Sequence, residues 1–258
     1  MEEQDYDNYE VLYIHEGKTS AEGKNIGIEK STGDIVIFFD DDTIIPKHWI
    51  SKAVKLLKIK NADIVGGPNL LMPNSSLSEK ISDFLLKSKL TSGDRKKFKL
   101  GLDGFSSHKN FSTCNIAIKK SVFDKVGKFS TDFPHTEDME FLYLCELYGY
   151  KLYYAGDLFV YHKRRSFPLK HLKRLFEWGY GNIQIALAYP KLFKRIDIIG
   201  SLSAVVAGVV SFILFPFWTL LLFLLSLPIS LHVLSYGLGS VVGLFNIKNW
   251  SKRGRCVI

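Results

Sequence analysis

Cysteine is scarce in this sequence, and its scarcity excludes one class of small protein. The chain has only three cysteines, at positions 114, 145 and 256, and no two of them form a Cys-x-x-Cys pair. A disulfide framework like those of small secreted proteins is therefore excluded, and a reducing environment is favoured. Residues 1–10 are acidic and polar, so the sequence predicts no signal peptide there.

Charged side chains are missing from one long stretch. Between Ile198 and Ile247 there is no Asp, Glu, Lys or Arg. As a helix this stretch would measure ~75 Å, whereas the hydrocarbon core of a bilayer measures ~30 Å, so we predict two transmembrane helices with a break near Pro216 or Pro228. Basic residues flank both ends, which predicts a hairpin with both flanks in the cytoplasm. A buried helical hairpin in a soluble protein is the alternative.

The net charge of +8 is unevenly distributed, because basic residues concentrate in residues 163–195 and 248–258. Basic segments on either side of an uncharged stretch favour membrane attachment over nucleic-acid binding. Within residues 166–189, leucines recur near helical spacing, lysines and arginines occupy the other face, and amphipathic aromatics follow. This pattern predicts an interfacial helix that contacts lipid head groups. An amphipathic helix packed on the globular part is the alternative.

Short apolar runs alternate with helical patterns in the first 165 residues, which predicts an α/β sheet. The predicted strands are Val11–Ile14, Ile35–Phe39 and Ile64–Val65, and the predicted helices cover Asn25–Lys30 and the residues after Pro46. Because Ile35–Phe39 is continuously apolar, we expect it to be a fully buried parallel strand.

Three consecutive carboxylates follow that strand: Asp40, Asp41 and Asp42. Carboxylates this close repel one another, and a hard divalent cation would compensate their charge. Ligands of α/β sheets bind at the carboxyl ends of strands, which is where these residues lie. The alternative is a solvated acidic turn that precedes a helix.

Four motifs in order resemble the inverting family 2 glycosyltransferases of the GT-A fold. They cover Asn25–Ile28 together with Gly33–Thr43, then Phe111–Lys120, Val126–Phe129 and Thr136–Phe141, within a similarity over residues 9–165. The resemblance implies a mixed α/β sheet of GT-A type with flanking helices. It also implies a nucleotide-sugar donor bound through Mg²⁺ or Mn²⁺ at a DxD motif.

The resemblance assigns roles to particular residues. Asp138 is expected to be the catalytic base, with Glu137 as its neighbour, although an acidic pair also suits any helix N-terminus. Donor contacts are expected from Asn25, Asp40, Asp42, Thr113 and Asn115.

The metal is expected to bind Asp42 and His162. His162 follows an apolar run, and a purely structural role for this histidine is the alternative. Arg174 and Trp178 are expected on the acceptor side, and the QxxRW pattern of processive polymer synthases is absent.

The expected organisation is a GT-A domain (residues 1–165), an amphipathic interfacial region (166–197), two transmembrane helices (198–247) and a basic cytoplasmic tail (248–258). The first βα unit of the family is expected to be missing. The predicted protein is a multi-pass enzyme of the cell membrane whose catalytic domain faces the cytoplasm. It is predicted to transfer a sugar, with inversion, to a lipid-linked or glycan acceptor, with nucleic acid not among its partners. The alternative function is a catalytically inactive GT-A-like binding or scaffold subunit.

Overall fold

The structure is a computed structural model that describes residues 3–88, 100–190 and 227–246. Its helices are α1 (Ser20–Lys30), α2 (Trp49–Ile59), α3 (Leu77–Lys87), α4 (Ser121–Val126), α5 (Glu137–Leu147), α6 (Leu169–Ala188) and α7 (Leu227–Phe245). Its strands are β1 (Ile35–Phe39), β2 (Thr43–Ile44), β3 (Ile64–Gly66), β4 (Asn69–Leu71), β5 (Asp103–Phe105), β6 (Asn115–Lys119), β7 (Leu152–Ala155) and β8 (Val160–His162). A short 3₁₀ turn covers His108–Asn110.

The chain divides into two compact units. The first comprises Met1–Ser75 and Asp94–Arg164, and the second comprises Ser76–Gly93 and Arg165–Ile258. The first unit contains a five-stranded sheet in the order β1-β6-β3-β7-β5 and a three-stranded sheet in the order β2-β8-β4. Both sheets mix parallel and antiparallel pairs, so the mixed α/β architecture is as predicted.

Side chains of β1 alternate between two apolar layers, as the period of a strand requires. Ile35, Ile37 and Phe39 pack against the core that α2 forms with the sheet, where Trp49 is 2% exposed. On the opposite side, the Phe38 ring contacts Phe129 edge to face, at 5.4 Å between centroids. Strand β1 is therefore packed on both of its faces.

Two expectations for the N-terminal strands are wrong. β1 is antiparallel to β6 and lies at the edge of its sheet, and most of its side chains are only half-buried. Residues 11–14 form no strand: in the described part of the chain β1 pairs with β6 alone, and the side chain of Tyr13 is 75% exposed. A short apolar run without a partner strand cannot satisfy its backbone in a ladder. The expected helix near Asn25 begins earlier, at Ser20, with Thr19 as its cap.

The two sheets of the first unit are linked at Gly67, between β3 and β4. A Cβ atom at this residue would lie 2.2 Å from the carbonyl oxygen of Leu158 and 2.5 Å from that of Ala155. Only glycine allows backbone segments to approach this closely. The close approach lets the chain leave one sheet and enter the other within two residues.

Helices α6 and α7 pack closely in the second unit. A Cβ atom at Gly179 would lie 2.0 Å from the carbonyl oxygen of Tyr236, and one at Gly239 would lie 2.0 Å from that of Phe176. Polar bonds reinforce the contact, for example from Asn182 Nδ2 to the Tyr236 hydroxyl at 2.7 Å. Small residues and interhelical hydrogen bonds of this kind are typical of helix pairs in membranes.

Among the described residues, Leu227–Phe245 is the helix that is long and apolar enough to cross a membrane. By length and composition alone this is weak support for membrane association, because core helices of soluble proteins have similar properties. Pro228 lies in the first described turn of this helix. Pro216 and residues 198–226 of the predicted hairpin lie outside the described residues, so the hairpin stays a prediction.

Candidate active site

Strand pairing gathers three of the predicted site residues. Asp40 and Asp42 follow β1 and lead directly into β2, which pairs with β8 so that Thr43 lies opposite His162. The backbone N–H of Lys163 also donates to the carbonyl oxygen of Asp42, at 3.3 Å. His162 is therefore held beside the aspartates by the register of a sheet, although about 120 residues separate them in the sequence.

We call Asp40, Asp42 and His162 the acidic cluster. The Nε2 atom of His162 lies 3.3 Å from a carboxylate oxygen of Asp40 and 3.3 Å from one of Asp42. The Asp40 side chain is 48% exposed, whereas that of His162 is 19% exposed. Two carboxylates share one imidazole, so the cluster carries net negative charge and is open to a cation or to a ligand that brings one.

A divalent cation fits this donor set. Carboxylate oxygens suit Mg²⁺ and Mn²⁺, and an imidazole nitrogen is a common ligand of transition metals. The His162 Nδ1 atom is enclosed and has no hydrogen-bond partner among the described residues, so the ring's contacts concentrate at Nε2, on the side of the carboxylates. The exposed edge of Asp40 leaves room for further oxygen ligands such as phosphates.

Cys114 lies beside the acidic cluster, and the sequence motifs predict no role for it. Ligand atoms of Asp40, Cys114 and His162 all lie within 4.8 Å of one another. The antiparallel register explains this position: Phe39 pairs with Asn115, so the residues that follow and precede them, Asp40 and Cys114, meet at the same sheet edge. The sequence contained one signal for a role of Cys114: this residue lies within the motif Phe111–Lys120, directly before strand β6.

Another charged group lies at the start of α5, and we call Lys24, Thr113 and Glu137 the lysine cluster. Lys24 Nζ donates to Thr113 Oγ1 and to Glu137 Oε1, both at 2.8 Å. The side chains of Lys24 and Glu137 are only 14% and 7% exposed. Lys24 also lies over the ring of Phe129, at 5.3 Å from its centroid. Sequence reasoning missed Lys24, although it directly precedes the predicted donor-binding residue Asn25.

The lysine cluster keeps Glu137 ionised. Burial acts to raise the pKa of Glu137, but the Lys24 ammonium and a hydrogen bond from the Ser20 hydroxyl outweigh it and hold this pKa below its usual value. Asp138 follows in the first turn of α5, where it is half-buried and its Oδ1 atom accepts the N–H of Met139 at 2.8 Å. The two neighbouring carboxylates therefore differ in burial, and Glu137 has a structural partner.

Asn25 and Asn115 use their side-chain amides within the protein. Asn25 exchanges two hydrogen bonds with the backbone of Phe129, at 2.8 and 2.9 Å. Asn115 is 1% exposed; its Oδ1 accepts from Trp49 Nε1 at 2.8 Å, and its Nδ2 donates to the carbonyl oxygens of Pro68 and Leu158. These bonds give both residues a positioning role, and a direct donor contact by either stays a prediction.

The basic residues after β8 are not all available to a ligand. The guanidinium of Arg164 is buried and donates to the carbonyl oxygen of Asn69. The two residues predicted for the acceptor side, Arg174 and Trp178, lie on α6 in the second unit. There the guanidinium carbon of Arg174 lies 5.5 Å from the Trp178 ring centroid, and Arg174 Nη1 lies 3.5 Å from a Glu177 carboxylate oxygen.

Comparisons with known proteins place this architecture in a family. The chain belongs to glycosyl transferase family group 2, whose family model matches residues 35–245.

A curated relative is glycosyltransferase AglE of Haloferax volcanii, 27% identical over 181 residues, which is 70% of this chain and 56% of that protein. The chain thus spans little more than half the length of this relative. A similar solved structure is the mannosyltransferase PcManGT from Pyrobaculum calidifontis in complex with GDP-Man and Mn²⁺. The TM-score is 0.58 at 18% identity, with 91% of this chain and 69% of that chain covered. At this identity, the likeness shows the fold alone.

Proposed function

We propose that the protein is a membrane-attached glycosyltransferase that moves a sugar from a nucleotide-sugar donor to a lipid-linked or glycan acceptor, with inversion. The observation that carries the proposal is the acidic cluster, in which Asp40, Asp42 and His162 converge from distant parts of the sequence at one sheet edge. Family membership supports the reaction class, and the open acidic cluster supports a donor that arrives with a divalent cation.

The donor diphosphate would bind at the acidic cluster. Asp42 and His162 would hold Mn²⁺ or Mg²⁺, and Asp40 would contact the nucleotide. A bound cation would neutralise the negative charge that develops on the leaving diphosphate. The half-exposed carboxylate of Asp40 and the less exposed His162 ring leave the outer side of the cluster for phosphate oxygens. Thr113, whose hydroxyl accepts a hydrogen bond from Lys24, would line the sugar pocket.

Asp138 would act on the acceptor. Its carboxylate takes the proton of the attacking hydroxyl, while the hydroxyl oxygen bonds to the anomeric carbon and the bond from that carbon to the phosphate oxygen breaks. The nucleoside diphosphate leaves with the electron pair of that bond. Because attack and departure occur on opposite faces, the anomeric configuration inverts. Glu137 supports this geometry, since its ion pair with Lys24 fixes the first turn of α5.

Membrane attachment would bring the enzyme to a lipid-linked acceptor. Three observations support membrane attachment: the helix Leu227–Phe245, its close packing with α6, and the basic residues around the uncharged stretch. Arg174 and Trp178 would lie on the acceptor side, and the flanks of the membrane part would be cytoplasmic, as the positive-inside rule predicts.

Donor binding tests the proposal most directly. The full chain in detergent should bind GDP-mannose, the nucleotide-sugar in the PcManGT complex, or another nucleotide-sugar when Mn²⁺ is present, and should lose that binding when the metal is chelated. Equilibrium dialysis against a panel of nucleotide-sugars would identify which nucleotide the protein binds. Release of nucleoside diphosphate with a lipid extract would then report turnover. A folded chain that binds no donor with Mn²⁺ would contradict the proposal, and donor binding without turnover would favour the inactive binding subunit.

A further inference from the structure

We propose that Asp40, Cys114 and His162 form a binding site for a borderline-soft divalent cation such as Zn²⁺, with the Cys114 sulfur as a ligand. This site shares two side chains with the acidic cluster and adds a sulfur that Mg²⁺ does not select. Its metal selectivity follows from the donor atoms of these three side chains, whatever the reaction of the enzyme.

The spacing of the three donors suits a tetrahedral ion. Zinc binds cysteine sulfur at about 2.3 Å and histidine nitrogen or carboxylate oxygen at about 2.0 Å, so neighbouring ligand atoms of a tetrahedral site lie about 3.3–3.7 Å apart. The contact between His162 Nε2 and Asp40 Oδ2 measures 3.3 Å. Ligand atoms of the three residues, the sulfur included, lie within 4.8 Å of one another, so they must approach by up to about 1 Å before all three can bind one ion.

The surroundings of Cys114 suit a thiolate ligand. Asn69 Nδ2 donates to the sulfur at 3.0 Å, and the Ser112 hydroxyl lies 3.3 Å from it. A donor directed at sulfur stabilises the negative charge that a metal-bound thiolate carries, as partners of metal ligands generally do. Both Cys114 and Asn69 are at most 4% exposed, so these contacts are shielded from water.

The same three donors separate zinc from the metals of the proposed reaction. Mg²⁺ and Mn²⁺ favour oxygen ligands, whereas thiolate favours softer ions. Asp40 faces solvent and gives an ion a path of entry, while the buried sulfur supplies the selectivity. Since His162 serves both ions, zinc and the proposed Mn²⁺ exclude each other.

Cobalt substitution tests the sulfur ligand without any measurement of activity. Full-length protein in detergent, loaded with one equivalent of Co²⁺, should show a sulfur-to-cobalt charge-transfer band in the near ultraviolet. The band should persist in Cys256→Ser, a matched removal of another thiol, and vanish in Cys114→Ser. Zn²⁺ affinity should fall by at least about 100-fold in Cys114→Ser, the upper end of the loss for residues that only support a ligand. A band that survives in Cys114→Ser would overturn the proposal.

A second measurement needs no variant. Zinc K-edge absorption of the wild-type chain with one equivalent of Zn²⁺ should give one sulfur at about 2.3 Å together with nitrogen or oxygen neighbours at about 2.0 Å. A zinc shell of nitrogen and oxygen alone would overturn the proposal. Neither result depends on nucleotide-sugar binding, so a failure here is distinguishable from a failure of the proposed function.

Discussion

The acidic cluster and the lysine cluster differ in how far their charges are exposed and compensated. They are nevertheless close in the sequence, because Cys114, beside the first cluster, directly follows Thr113 of the second. In the acidic cluster two carboxylates share one imidazole, and Asp40 is half-exposed. In the lysine cluster one ammonium meets one carboxylate and both are nearly buried. Open and incompletely compensated charge is suited to bind a ligand, whereas buried and compensated charge holds a helix terminus in position.

The largest effect on activity is expected at Asp138, which borders the lysine cluster without belonging to it. Asp138→Asn keeps the size of the side chain but removes the proton acceptor. Turnover should fall by ~100-fold or more, the usual scale for a lost general base, while donor binding persists. Steady-state rates and equilibrium binding on the same preparation separate the two. Asp124→Asn, an exposed acidic residue in α4, is the matched control and should leave the rate unchanged. An unchanged rate in Asp138→Asn would remove this residue from the chemistry.

The next effect concerns stability and breaks the lysine cluster itself. Lys24→Met leaves the Glu137 carboxylate buried without its cation, which should lower the free energy of unfolding by about 3–5 kcal/mol. Lys30→Met is the matched control, because its ion pair with Glu16 has side chains 51% and 56% exposed and should contribute nothing measurable. Thermal or denaturant unfolding in detergent reports the difference.

A double variant separates the pair from other roles of Lys24. Lys24→Met with Glu137→Gln removes both charges and should recover much of the lost stability, since the destabilising species is the unpaired buried carboxylate. Equal instability in the single and double variants would mean that Lys24 acts through packing on Phe129 and not through its charge.

The contrast between the clusters also explains what the sequence could predict. Asp40, Asp42 and His162 are predictable because each follows an apolar run, and a strand end is visible in a sequence. Their convergence depends on the pairing of β2 with β8, and a two-residue strand leaves no readable pattern. Likewise β1 is identifiable as a strand, but its antiparallel partner and its place at the sheet edge are set by distant residues.

Buried polar partners could not be predicted at all. Lys24 resembles any surface lysine of a helix until Glu137 is placed beside it, more than one hundred residues further along the chain. Asn115 is assigned to the donor by resemblance, whereas its amide contacts Trp49 and two backbone carbonyls inside the fold. A residue's polarity is visible in a sequence, but its hydrogen-bond partners depend on tertiary structure.

A smaller effect should mark the acidic cluster as a binding site. Asp42→Asn removes one proposed ligand and should weaken Mn²⁺ binding by at least about tenfold, with a parallel loss of donor affinity. Unfolding stability should not decrease, because the substitution relieves repulsion between neighbouring carboxylates. Asp41→Asn, one residue away and exposed, is the control and should bind Mn²⁺ as the wild type does. Titration of Mn²⁺ by electron paramagnetic resonance measures both; equal affinities would refute the assignment of Asp42.

The smallest effect is the contribution that the lysine cluster should make to the dependence of stability on pH. The pKa of Glu137 is lowered on folding from a usual value of 4.5, so its contribution is fully present above pH 4.5 and is lost as the pH falls through the folded pKa. Other carboxylates titrate in the same range, so the informative quantity is the difference in melting temperature between wild type and Lys24→Met/Glu137→Gln. Without added metal, this difference should be constant from pH 7 to about 5 and then shrink towards pH 3. A difference that stays constant down to pH 3 would mean that Glu137 is not held ionised by Lys24, and the distinction between the two clusters would fail.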